Sequence, residues 1–242
     1  MAKEGASGDK VYDVIAEIKA LGLEKLVPEE GRLGAFARQR WSDKREAGLN
    51  DIINHSYAMS YALHSLASFC ARDYVSLKGL ARFYADRSDR ERTCAMELSR
   101  YQGLRGGKVV LYQIGQPESE FDHEEKGEAL YTMEIVLAIF KVHNEKLRDL
   151  NQLAAEENDD EFSDYLTDGF IHPLVITVKK LAGMVTQLRR VGKGHGTWHF
   201  DHSLNKRLKK HEVGEEIADS GGETSEEEED ESEAALHADV AV

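Results

Sequence analysis

The sequence predicts an all-α fold in which four long helices form a bundle with one long crossover. Three observations lead to it: apolar residues recur at helical spacing over four long stretches, the 242 residues include only three prolines, and a long polar segment separates the second helix from the third. A chain of this length can bury one good-sized core, and nothing in it demands a second. Four helices alone are compatible with many folds, so the choice among them depends on specific motifs.

The N-terminal region is predicted to be an extension of the bundle. Residues 1–10 are small and polar, and apolar residues recur at roughly helical spacing from Val11 to Leu26. This pattern predicts a short amphipathic helix before Pro28, which must pack on a larger body because an isolated helix of this length is marginal in water. With the linker that follows, the extension covers residues 1–34.

The first pair of long helices is predicted on the two sides of a short turn at residues 72–73. The first helix begins after Ser42, a plausible N-cap, and runs to this turn. The second spans about residues 76–104 and ends at the Gly106-Gly107 pair, a typical C-terminal signal.

The second pair of long helices follows the crossover and spans about residues 128–156 and 160–191, with an Asn-Asp-Asp run between them. Pro173 lies inside the fourth helix. Because proline has no N–H and crowds the carbonyl four residues earlier, it usually costs a helix ~3 kcal/mol. The crowded residue is Gly169, whose backbone adjusts easily, so we expect a kink rather than a break.

The C-terminal region is predicted to divide into a short fifth helix and an acidic tail. A glycine-rich run at residues 192–196 ends the bundle, and the short helix spans about residues 198–210. Residues 212–242 contain thirteen acidic residues and no Lys or Arg, which predicts a disordered, solubilising tail. The bundle with its short C-terminal helix is therefore assigned to residues 35–211.

The net charge of −14 is carried by the tail rather than by the folded body. Residues 1–211 contain 31 Lys and Arg and 32 Asp and Glu, so the body has no basic surplus to displace counterions from nucleic acid. The sequence contains no apolar run of eighteen or more residues, so it predicts no membrane span. The two cysteines, Cys70 and Cys94, favour a reducing compartment. The N-terminus shows neither a secretory signal nor a transit peptide, which favours a cytosolic chain or one whose targeting segment is already absent.

The stretch from Asp86 to Glu97 looks like a metal-site helix. In carboxylate-bridged di-iron bundles, a Glu and a His three residues later share one helix face. Glu91 stands where that Glu is expected, and Cys94 stands where the His is expected.

Several longer motifs make the family resemblance specific. They are Ala37-Arg38-Gln39, Arg72-Asp73, residues 76–83, Tyr101-Gln102, Arg105-Gly106-Gly107, residues 119–121 and 125–131, and residues 188–189 and 191–201. On these residues the chain resembles ferritin over roughly residues 10–208. The Gly-Lys-Gly-His-Gly run and the N-terminal extension helix are similar to the plant and algal type. The resemblance implies a ferritin-like four-helix bundle with one long crossover and a short fifth helix.

The same resemblance implies a hollow 24-mer cage that stores iron as ferric mineral, built as a homo- or hetero-oligomer with other ferritin subunits. In active members each subunit binds two iron ions inside its bundle and oxidises them with oxygen. Hard iron ions favour oxygen-rich sites with a supporting imidazole, which explains a site of several Glu, one His, a Tyr and a Gln. The implied compartment is the plastid stroma, and otherwise the cytoplasm.

Carried over position by position, most of the iron ligands are missing. Glu91 is the retained ligand position, and Cys94 replaces the ligand His. The remaining ligand positions are lost, being occupied by Ser56, Leu63, Phe140 and Leu174. Because an apolar residue removes a carboxylate and fills its space, we expect a degenerate ferroxidase centre with a packed core and no complete intra-subunit di-iron site.

Two further places of contact with iron follow from the resemblance. The three-fold channel would present Asp164 and Asp168, which lies one residue beyond a position where an acid is expected. The cavity surface would present Asp86 and Asp89, opposed by Arg90. In both places the alternative is an ordinary solvated helix surface. The resemblance would also place the acidic tail inside the cavity and histidines 199 and 202 at the four-fold pore.

The sequence therefore predicts an iron-storage subunit that assembles with catalytic subunits and does not oxidise iron itself. Three alternatives stay open. One is an active ferroxidase with a rearranged site. The second is a site for a softer metal, zinc or copper, that uses Cys94 with Glu91 and Glu134. The third is a ferritin-like interaction protein that forms no cage.

Overall fold

The computed structural model describes residues 36–219, and side chains for residues 36–210. This part of the chain is helical and contains no β-strand, which confirms the predicted all-α class. The predicted extension helix at residues 11–26 lies outside it. The helices are α1 (Asp43–Cys70), α2 (Lys78–Leu104), α3 (Glu128–Glu156), α4 (Asp160–Leu166), α5 (His172–Val191) and α6 (His195–Asp219). Among these described helices, none is both long and apolar enough to cross a bilayer.

Helices α1 and α2 form a long antiparallel pair whose ends follow local sequence signals. The Ser42 hydroxyl accepts a hydrogen bond from the Arg45 N–H at 3.1 Å, so the predicted N-cap of α1 is confirmed. At its other end, α2 is followed by Gly106 with φ of +70°, the left-handed backbone that glycine adopts without strain. The two helices contribute a large share of the buried apolar residues.

The crossover between α2 and α3 is held against α1 by two asparagines one helical turn apart. The Asn50 side chain donates to the Lys108 carbonyl at 2.9 Å and accepts from the Val110 N–H at 3.0 Å. The Asn54 side chain donates to the Val110 carbonyl at 2.8 Å and accepts from the Tyr112 N–H at 2.7 Å. These side chains satisfy backbone groups that an extended segment would otherwise leave to water.

The fourth long helix is interrupted where proline enters it. A π-helical segment, Thr167–Ile171, separates α4 from α5, and Pro173 lies in the first turn of α5. The His172 N–H bonds to the Thr167 carbonyl, five residues back, instead of the usual four. The wider turn makes room for the proline ring, so the expected kink takes the form of a π-helical turn.

Helix α6 is longer than predicted. The expectation that it ends near Lys210 is wrong, because the helix continues to Asp219 and so includes residues 212–219 of the assigned tail. The physical reason is the run of good helix formers, Glu and Ala, which a single glycine at position 214 does not interrupt. The rest of the acidic tail lies outside the described residues.

Helix α6 docks onto the start of α2 through a buried carboxylate. The Asp201 side chain accepts hydrogen bonds from the backbone N–H groups of Gly79 at 3.1 Å and Leu80 at 2.8 Å. It thereby caps a helix whose own N-cap residue, Leu77, has no side chain able to accept. A Cβ at Gly79 would collide with the Asp201 carbonyl oxygen, so the close approach of the two backbones requires glycine.

An ion network centred on the buried Asp159 joins the other end of the bundle. Asp159 pairs with Arg45 at the start of α1 and with Arg105, 2.7 Å away, just after α2. Arg105 also pairs with Glu161 at 2.6 Å. Asp159 additionally accepts from the Phe162 N–H and caps α4. One carboxylate thus ties α1 and α2 to the junction between α3 and α4.

Candidate metal centre

Four of the six predicted ligand positions meet at one cleft, which we call the Glu91 cleft. It has a volume of about 400 Å³ and lies between α2, α3, α5 and the π-helical segment. Helix α2 contributes Glu91 and Cys94, α3 contributes Phe140, and α5 contributes Leu174. The other two positions, Ser56 and Leu63, lie on the fully buried face of α1.

The positions where a non-ligand residue replaces an iron ligand of the family are part of the packed core. Leu63 is 0% exposed, Phe140 1% and Leu174 7%, and all three belong to the apolar core cluster. The Ser56 hydroxyl is buried and has no hydrogen-bond partner among the described residues. An apolar side chain offers no lone pair to a metal ion. In the part of the chain whose side chains are described, no group of three or more His, Cys, Asp or Glu is arranged to hold a metal.

The Glu91 carboxyl is 7% exposed and strongly perturbed. Burial raises its pKa to about 7, and the nearby positive charge of Arg87 opposes this only in part. The carboxyl therefore keeps its proton to a higher pH than an exposed glutamate does.

The Cys94 thiol is protonated near neutral pH. Burial raises its pKa to about 12, and the negative charges of Glu91 and Glu97 act in the same direction. Since the thiolate is the form that binds metals, a metal ion would have to displace the Cys94 proton in order to bind there. Glu134, which the softer-metal alternative would add, instead pairs with Lys126 at 2.6 Å and Arg189 at 2.5 Å. The structure therefore does not bring Glu134 to the Glu91 cleft.

The predicted cavity-surface acids lie at the mouth of the Glu91 cleft and are paired with arginines of the same helix. Asp86 is 3.1 Å from Arg90, and Asp89 is 3.7 Å from Arg92. These arginines offset much of the negative charge that would concentrate cations. The assignment of Asp86 and Asp89 to a mineral-facing surface stays a prediction.

The predicted channel acids are exposed on the α4 side of the interrupted helix. Asp164 lies on α4 and Asp168 on the π-helical segment, one turn apart with Thr167 between them. Their channel role stays a prediction, as does the pore role of histidines 199 and 202, which are exposed on α6.

A pair of histidines beside the Glu91 cleft escaped the sequence reasoning. The Nδ1 atoms of His55 on α1 and His143 on α3 are 3.0 Å apart. His143 is 4% exposed and lines the cleft. Burial lowers the pKa of His143 to about 3, with His55 and Lys146 adding to the effect, and burial followed by Lys146 lowers that of His55. Both rings are therefore neutral near pH 7.

A sequence signal for this pair exists. His55 directly precedes the ligand position at Ser56, and His143 follows the ligand position at Phe140 by three residues, on the same helix face. Two imidazoles thus flank two lost ligand positions on facing helices. Only the packing of α1 against α3 shows that the rings touch.

Comparison with known proteins places this architecture in one family. Residues 46–191 match the family model described as a ferritin-like domain. The chain is 46% identical over 195 residues to Ferritin-3, chloroplastic, of Glycine max, a match that covers 80% of this chain and 75% of the relative. It is 44% identical over 194 residues to Ferritin, chloroplastic, of Phaseolus vulgaris, with coverage of 80% and 75%.

A solved structure agrees with the sequence relatives. The crystal structure of ferritin from the multicellular green alga Ulva pertusa superposes with a TM-score of 0.77 at 38% identity, and covers 81% of this chain and 100% of the algal one. Both of these sequence relatives are chloroplastic proteins. Because the family model spans more than half of the chain and several relatives exceed 40% identity, the chain belongs to the ferritin family, as an iron-storage subunit of the plant and algal type.

Proposed function

We propose that this subunit forms the wall of a ferritin cage and does not oxidise iron at a di-iron centre of its own. The observation that carries the proposal is the burial of three apolar side chains, Leu63, Phe140 and Leu174, at positions where the family resemblance places iron ligands. They leave Glu91 as the one carboxylate of the set. A single carboxylate supplies less negative charge and fewer oxygen ligands than the several Glu of a di-iron site.

The remaining chemistry of the site supports the same proposal. Helix α2 offers the thiol of Cys94 where the family resemblance places an imidazole, and soft sulfur matches iron less well than nitrogen or oxygen does. Ferrous iron is the substrate of the family reaction, and the inherited ligand positions in the Glu91 cleft offer it one carboxylate, that of Glu91. Oxidation would then occur on partner subunits or on the mineral itself, and this subunit would supply structure and storage volume.

The partners follow from this division of labour. We infer a hetero-oligomer with catalytic ferritin subunits in the plastid stroma, and a cage with ferric mineral as its content. The likeness to chloroplastic ferritins supports the compartment, and the buried apolar side chains at the ligand positions support the need for a catalytic partner. Size-exclusion chromatography with light scattering tests the cage directly, since a monomer or dimer would exclude it.

The oxidation of ferrous iron by the purified homopolymer tests the catalytic part of the proposal. We expect oxygen-dependent oxidation at the rate of iron in buffer alone, and the same rate for Glu91→Ala. Addition of a catalytic subunit during reassembly should restore fast oxidation. A homopolymer that oxidises iron well above the buffer rate, and loses this activity in Glu91→Ala, would establish the rearranged-site alternative instead.

A further inference from the structure

The His55–His143 pair is arranged edge to edge rather than stacked. The two ring planes are within 5° of parallel and the ring centroids are 5.1 Å apart. Stacked rings are separated by at least ~3.5 Å, the contact distance of carbon atoms. Since the Nδ1 atoms are only 3.0 Å apart, the rings lie nearly in one plane and point their Nδ1 atoms at each other. One Nδ1 carries a proton and donates to the lone pair of the other.

Two facing imidazole nitrogens are a ligand pair for a metal ion. Metal–imidazole bonds are about 2.0–2.1 Å long, so an ion between the rings requires an Nδ1–Nδ1 distance of about 4 Å. The pair would have to open by about 1 Å. His55 can provide this movement because it is half-buried, whereas His143 is fixed in the core.

We propose that His55 and His143 form a linear, two-coordinate site for a monovalent d¹⁰ cation of the Cu(I) and Ag(I) class. Coordination number is the first reason. Zinc and iron sites take three or more protein ligands, and the described side chains provide no third His, Cys, Asp or Glu that completes such a group. A d¹⁰ monovalent ion is satisfied by two nitrogens in line.

Charge is the second reason. His143 is 4% exposed, and Lys146 acts electrostatically on both rings. A nearby positive charge and a poorly solvated setting penalise a divalent ion far more than a monovalent one, because the desolvation cost rises steeply with charge. In the free pair one of the two Nδ1 atoms holds a proton, and this proton must move before the cation can bind both nitrogens.

The proton balance of binding is simple. In the free pair each neutral ring carries one proton, and the donor ring carries its proton on Nδ1. When the cation takes the space between the Nδ1 atoms, that ring moves its proton to Nε2 by exchange with solvent. The cation enters, no bond other than the Nδ1–H bond is broken, and no net proton is released.

Titration of the full-length assembled protein with silver nitrate in chloride-free buffer tests the site. The Cys70→Ala/Cys94→Ala background removes the thiols, which would otherwise bind Ag(I) first. We expect one Ag(I) per subunit without net proton release. His55→Gln and His143→Gln should each weaken binding by ~100-fold or more. His64→Gln, at an exposed position of α1, is the matched control and should bind as the thiol-free parent does.

Each contrary outcome overturns the proposal. A thiol-free parent that binds no Ag(I), or binding that survives either His55→Gln or His143→Gln, excludes a shared two-histidine site. If His143→Gln alters the circular dichroism or the cage size, the more exposed His55→Gln variant decides. X-ray absorption of the Cu(I)-loaded protein should show two nitrogen neighbours, and a spectrum with three or four neighbours would contradict the linear geometry.

Discussion

Replacement of Glu91 by glutamine should stabilise the folded chain at alkaline pH. The carboxyl is almost fully buried, and its pKa is about 7 in the folded chain against a usual 4.5. An acid with a raised pKa contributes stability that is fully present below pH 4.5 and is lost as the pH rises through 7. Above pH 7 the folded chain holds a buried carboxylate at a cost of about 3 kcal/mol, which the neutral amide of glutamine avoids.

The assay is unfolding by guanidinium at pH 5 and pH 8, followed by circular dichroism. Glu91→Gln should gain up to about 3 kcal/mol over the parent at pH 8, and this difference should shrink towards pH 5 as the parent carboxyl takes up its proton. Glu97→Gln, at an exposed position of the same helix, is the matched control and should leave the profile of the parent unchanged. A Glu91→Gln variant that is less stable than the parent at pH 8 would refute the reasoning, since it would show that the carboxylate is held by favourable partners.

Two further substitutions test how the fold is held together. Asp159→Asn should lower the free energy of unfolding by about 3 kcal/mol, because Arg45 and Arg105 lose a buried counter-charge. Asp160→Asn, at an exposed position, is the control and should leave the free energy of unfolding unchanged. The denaturant midpoints of the two variants and the parent measure the difference. Gly79→Ala should undock α6 from α2, so that α6 becomes accessible to limited proteolysis. Gly103→Ala, where an added methyl group meets no atom within 4 Å, should resist the protease as the parent does. If the two variants resist the protease equally, α6 does not depend on the close approach at Gly79.

Local signals made the long helices predictable. Ser42 caps α1, Gly106 ends α2, and Asn158, with φ of +53°, separates α3 from α4, so each boundary is set by one residue with a specific backbone or side-chain preference. The crossover was likewise visible as a long polar segment. The attachment of the crossover to α1 could not be predicted. The hydrogen bonds from Asn50 and Asn54 depend on how α1 is oriented towards a segment 50 to 60 residues away in the sequence.

The interrupted fourth helix shows where sequence reasoning stops. Pro173 predicts a disturbance and Gly169 predicts that the chain tolerates it, but neither residue specifies whether the helix bends or widens. The observed hydrogen bond from the His172 N–H to the Thr167 carbonyl selects the wider π-helical turn. That choice depends on how both halves of the helix pack on α3, which is a property of the whole bundle.

For the candidate site, the sequence predicted which residues occupy the ligand positions but not their burial or their contacts. The resemblance to ferritin supplied the ligand positions, and the structure adds the burial of Phe140, the perturbed pKa of Glu91 and the pairing of Glu134 outside the cleft. The His55–His143 contact joins residues 88 positions apart, so no periodicity on one helix could indicate it. The sequence pattern of a single helix does not show which of its residues contact another helix.

The position of iron in a crystal of the homopolymer soaked with ferrous salt tests the central claim most directly. Anomalous scattering at the iron edge identifies the metal without reference to any assay of activity. If the ligand positions are part of a packed core, no pair of iron peaks should appear in the Glu91 cleft between Glu91, Cys94, Phe140 and Leu174. Two iron peaks there, with Glu91 as a shared ligand, would contradict it and make this subunit a ferroxidase in its own right.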